Sequence, residues 1–60
     1  MAVSIKFKTS NEAFSEGKGF EVARILRRIA QELEDNDGKT GTAVNIRDVN
    51  GNTIGSYYAN

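Results

Sequence analysis

Apolar and polar residues alternate from Ala2 to Lys8. Val3, Ile5 and Phe7 fall on one side and Ser4, Lys6 and Lys8 on the other, the spacing of a half-buried strand. From Phe20 the period lengthens. Val22, Leu26, Ile29 and Leu33 recur one helical turn apart, with Ile25 and Ala30 widening the stripe, which predicts a helix from Phe20 to about Asp35. Glu21 suits the first turn, and Gly38 or Asn36 stops the helix. Between these elements, Thr9 to Gly19 reads as a loop with room for one helical turn around Phe14. It is long for so small a domain, a mark of function or disorder. Gly41 and its neighbours read as a linker.

Alternation returns in the last third, where Asn50-Gly51 sits between apolar residues, the strongest short-range hairpin signal. A two-residue loop, Asn50-Gly51, would set Ile54 opposite Arg47. A three-residue loop, Val49-Asn50-Gly51, pairs Asp48 with Asn52 and sets Ile46 opposite Ile54. The second is expected: Asp48 suits the first position of a type I turn, Gly51 supplies a positive φ, and Ile46 and Ile54 share the buried face.

Strand, helix, strand, strand is therefore the expected order: an α+β fold with a β-α-β-β chain path. The sheet is three-stranded and mainly antiparallel, with the helix packed on one face. Val3, Ile5, Phe7, Val44, Ile46 and Ile54 are expected to face the helix. Placing the first strand beside the last makes every neighbour antiparallel, and that arrangement is expected.

Composition narrows the chemistry. Sixty residues make a single small domain, residues 1–60. A chain this short buries only about 60% of its unfolded surface, so its core is thin. It has neither Cys nor His, which removes disulfide staples, the commonest metal ligand and the commonest general base. Eight basic and eight acidic side chains cancel, giving no general pull toward nucleic acid or membrane. The chain has no apolar run of spanning length and no signal-peptide core, so a soluble, cytoplasmic, non-enzymatic protein without cofactor or metal is expected. A thin core makes a homodimer or a tight partner plausible.

Several groups are candidate binding residues. Glu32, Glu34, Asp35 and Asp37 gather at the helix C-terminus, where the dipole disfavours them. They are placed to imitate phosphates or to meet an Arg-rich partner. Asp35-Asn36-Asp37-Gly38 has the look of a calcium loop, but with Gly38 sixth the first and twelfth residues are Leu33 and Val44. The sheet face away from the helix is expected to carry Lys6, Lys8, Asn45, Arg47, Thr53 and Tyr57, a basic surface for stacking bases and tracking phosphates. Adjacent Tyr57 and Tyr58 point to opposite faces, one finishing the core and one free to anchor a partner. Arg24, Arg27 and Arg28 on the helix have nearby carboxylates: Glu21 can pair with Arg24 and Glu32 with Arg28, as on a salt-bridged surface. Gly17-Lys18-Gly19 is a weak anion-binding signal.

The helix Glu21-Val22-Ala23-Arg24-Ile25-Leu26-Arg27-Arg28-Ile29-Ala30, followed by Asp48-Val49-Asn50-Gly51-Asn52-Thr53-Ile54-Gly55, resembles small orphan proteins encoded by bacteriophages and prophages. The likeness covers about half of the chain and carries no site residues with it. It implies a class of proteins that bind and disable a host machine in the bacterial cytoplasm, anti-CRISPR proteins among them. The expected function is thus inhibition of a host protein or protein–nucleic acid complex, such as a CRISPR effector, by occlusion of a binding surface. The expected contacts are Glu32, Glu34, Asp35 and Asp37 with Tyr57 and Tyr58. Two other expectations stand beside it. One is a nucleic-acid-binding accessory role for the Lys6, Lys8 and Arg47 face, and the other is a small dimeric structural or assembly protein.

Overall fold

In a computed structural model, which describes residues 2–15 and 17–60, three strands form one sheet and a single α-helix lies on one of its faces. Strand β1 is Val3–Phe7, helix α1 is Lys18–Asp35, β2 is Val44–Arg47 and β3 is Thr53–Ala59. A short 3-10 turn, Glu12–Phe14, interrupts the predicted loop and buries Phe14. Glu16, also within that predicted loop, lies outside the described residues. The sheet order is β1-β3-β2, antiparallel throughout, with the first strand beside the last as expected.

The hairpin turn follows the three-residue reading. Asp48 N–H donates to Asn52 O, Gly51 N–H donates to Asp48 O, and Gly51 has φ +85°, a conformation in which a Cβ is strained. Beyond the turn the ladder slips by one residue. Arg47 lies opposite Thr53, but Ile46 lies opposite Gly55, not opposite Ile54 as expected. The extra residue is a β-bulge. Its consequence is large: Ile54 and Tyr57 differ by an odd number, so a regular strand would place them on opposite faces. With the bulge both are buried. The expectation that Tyr57 lies on the open face is therefore overturned. It lies opposite Ile5 and Val44 on the helix side, and Tyr58 takes the open face.

Gly55 sits where β1 passes closest. A Cβ there would lie 2.1 Å from the Lys6 carbonyl oxygen and 2.5 Å from the Phe7 Cα, so only glycine fits.

Phe14, Ile25, Ile29, Ile46, Ile54 and Tyr57 form the core, with Phe7, Ala13, Val22, Leu33 and Val44 against it. The helical contributions to this core meet residues of β2 and β3. Two expectations are corrected as a result. Val3 and Ile5 do occupy the helix side of β1 but remain 54% and 39% exposed, because the helix does not cover that edge. Leu26 is 43% exposed, because the buried stripe runs through Glu21, Ile25 and Ile29 and leaves Leu26 on one flank.

The helix starts two residues earlier than predicted, at Lys18, after a left-handed Gly17 that supplies no side-chain cap. It ends at Asn36, whose N–H reaches Glu32 O. Asp37 and Gly38 then turn the chain with positive φ, and Gly38 N–H donates to Leu33 O at 2.7 Å.

Candidate functional site

Two carboxylates, Glu21 and Asp48, are buried. Glu21 falls on the same helical line as Ile25 and Ile29, one turn apart, and that spacing carries it under the hairpin loop. There its carboxylate accepts two hydrogen bonds from Arg24, at 2.7 and 2.9 Å, and one from the Val49 N–H at 3.1 Å. The Arg24 hydrogen bond holds Glu21 below its ordinary pKa of 4.5 despite burial, with help from Val49. Asp48 serves the turn itself. Its Oδ1 accepts the N–H groups of Asn50 and Asn52, both at 2.9 Å, and Oδ2 accepts the side-chain amides of Asn11 and Asn52. Burial pushes the Asp48 pKa up, but the bonds from Asn52, Asn11 and Asn50 outweigh it and leave the value lowered. Both groups are thus anions that hold the loop, and neither is poised to accept a proton near neutral pH.

Further along the same side of the helix, Tyr57 Oη donates to Glu32 Oε1, and Arg28 reaches Glu32 Oε2 at 3.5 Å. Burial, and then the Glu32 bond, push the Tyr57 hydroxyl up to about 12. A cleft of about 140 Å³ opens here between α1 and β2, with Ile25, Ile29, Ile46 and Tyr57 at its base and Arg24, Arg28 and Arg47 among its walls. Its positive charge is largely matched internally, since Arg24 pairs with Glu21 and Arg28 with Glu32.

The acidic group predicted at the helix end therefore divides. Glu32 turns inward to Tyr57, while Glu34, Asp35 and Asp37 remain exposed. Asp35 accepts one bond from Gln31, and none of the three makes an ion pair among the described residues. The predicted aromatic pair divides in the same way: Tyr57 is buried, and Tyr58 is 38% exposed on the opposite face. Thr40, three residues beyond Asp37, donates its N–H to Ala59 O and accepts the Ala59 N–H on Oγ1. That link holds Tyr58 at the same end of the molecule as the exposed carboxylates.

The open sheet face carries Ser4 opposite Tyr58, Lys6 opposite Ser56, Asn45 beside Ser56 and Arg47 opposite Thr53. Lys6, Lys8 and Arg47 are all exposed, and Arg47 leans toward the Gly51 carbonyl at 3.4 Å. No strand residue on this face is a carboxylate. Lys18 begins the helix, and Arg27 is exposed on its outer side. No helix among the described residues is long and apolar enough to cross a membrane.

Comparison with known proteins adds no guide: no protein-family model, curated protein or solved structure matches the chain.

Proposed function

We propose that this chain is a small non-enzymatic binding protein of the bacteriophage kind. It inhibits a host protein or protein–nucleic acid complex by occluding a surface that handles a polyanion. The observation that carries this reading is the end of α1. Glu34, Asp35 and Asp37 are exposed together at the helix C-terminus, where the dipole makes each carboxylate unfavourable by about 0.3–1 kcal/mol. Residues held against a local stability rule call for a use outside the fold. A row of carboxylates competes with phosphates for basic side chains on a partner. Tyr58, exposed at the same end, supplies the aromatic anchor. The half-buried Glu32 and the buried Tyr57 support this surface from below and do not touch the partner.

The test is charge reversal in an isolated complex. Replacing Glu34, Asp35 and Asp37 with Lys weakens partner binding by at least about tenfold while the cooperative unfolding transition is retained. Unchanged affinity in the folded variant contradicts the reading.

A second reading rests on the open sheet face, where Lys6 lies diagonal to Tyr58, Lys8 and Arg47 sit toward the hairpin end, and no strand residue is a carboxylate. In that case the protein is a nucleic-acid accessory factor, and its affinity for single-stranded oligonucleotides falls steeply with salt. Absence of binding at low salt removes it.

A further inference from the structure

Strand β1 is an edge of the sheet, and among the described residues nothing hydrogen-bonds to its outward side. Lys8 N–H donates to Ile54 O, and Asn60 N–H donates to Ala2 O. Even-numbered residues of β1 therefore turn their N–H and C=O groups toward β3, and by alternation Val3, Ile5 and Phe7 turn theirs outward. Natural edges are usually blunted by charge, Pro or a covering element. Here the charge, Lys6 and Lys8, lies on the open face, while the helix-side positions flanking the open groups are Val3 and Ile5, both exposed, and the half-buried Phe7. Leu26 emerges on the flank of α1 away from the cleft with β2, and so toward this same strip. Among the described residues the edge is thus an unpaired ladder beside an uncovered apolar strip, on a domain with a thin core.

The occupant follows from the sequence of the strand. We propose that β1 pairs antiparallel with β1 of a second copy, about a two-fold axis at Ile5, joining two three-stranded sheets into one of six strands. This register sets Ile5 opposite Ile5 and Val3 opposite Phe7, so that like meets like on the helix side. On the open face it sets Ser4 opposite Lys6, which avoids a Lys6–Lys6 clash. The axis is perpendicular to the sheet, so both helices stay on one face and their Leu26 flanks approach across the strip. The contact is isologous and closes on itself, leaving β2 as the outer edge at both ends. This inference does not depend on the acidic helix end having a partner.

Sedimentation equilibrium of the full chain across micromolar to millimolar concentrations tests it, with two substitutions at an exposed position that leaves each subunit's core untouched. Ser4→Glu places a carboxylate opposite Lys6 of the other copy twice, and Ser4→Lys places an ammonium there twice. Cross-strand charge pairs of about 0.2–1 kcal/mol each predict a dimer tightened by roughly 2- to 30-fold in the first and weakened by a similar factor in the second. The chain has no other cysteine, so Ile5→Cys is expected to give a disulfide-linked dimer on mild oxidation, while Ser10→Cys is not. A monomer at all concentrations overturns the proposal. So does a dimer indifferent to the charge at position 4 and not trapped through position 5.

Discussion

Tyr57 and Glu32 are joined by a 2.5 Å hydrogen bond from the phenol to the carboxylate, tying the middle of β3 to the last turns of α1. The bond sits at the base of the α1/β2 cleft, where burial raises the cost of ionising the phenol.

A pH dependence follows. The Tyr57 hydroxyl ionises near 10.0 when unfolded and at about 12 when folded. Between these values the unfolded chain has released a proton that the native chain keeps. Stability from this group is complete below the lower value and is lost as pH rises through the higher one. Tyr57→Phe is therefore expected to flatten the fall in denaturant midpoint between those two values. At neutral pH it should cost about 0.5–1.5 kcal/mol, because Glu32 loses a donor. Urea titrations of both proteins at neutral and alkaline pH check this.

The Glu21–Arg24 pair acts with the opposite sign. Glu21 is held below its ordinary 4.5, so its contribution is present above that value and is lost as pH falls through the lower folded one. The expected outcome is a protein whose thermal midpoint drops on acidification, and a smaller drop in Glu21→Gln. Arg24→Met, which leaves the buried carboxylate with the Val49 N–H but no cation, should destabilise by about 1–3 kcal/mol at neutral pH, less than a fully buried pair because Arg24 is partly exposed.

Three glycines should respond differently to the same added methyl. Gly55→Ala drives a Cβ into the β1 backbone and is expected to cost at least about 2 kcal/mol. Gly51→Ala meets no atom but must adopt positive φ, at about 1 kcal/mol. Gly19→Ala lies in α1 with nothing near it and should stabilise by about 0.5–1 kcal/mol. Equal effects at all three positions would contradict the bulge geometry.

Much of this fold was legible in the residues. Alternation located β1, the helical stripe located α1, and Asp48 with Gly51 specified the three-residue turn. The bulge at Ile54 is not evident from local pattern, although its signal lies in the sequence: Ile54 and Tyr57 can share a core only if β3 carries one extra residue, which it does at Ile54, between Thr53 and Gly55 and opposite the Ile46–Arg47 step. That one slip misplaced Tyr57 on the open face. Glu21 could have been found from its position one turn before Ile25, but its use is a long-range bond to Val49 that no local pattern encodes. The division of the acidic group had a local clue as well. Glu32 lies one turn beyond Arg28, near the buried stripe, while Glu34 and Asp35 lie on the outer side.

The most direct measurement is an affinity pull-down from nuclease-treated bacterial lysate, comparing the wild-type chain with the Glu34→Lys, Asp35→Lys, Asp37→Lys variant by quantitative mass spectrometry. The account predicts a stoichiometric host complex with the wild type that is lost with the folded variant. Equal recovery on both, or recovery only of nucleic acid and its proteins when nuclease is omitted, would contradict it.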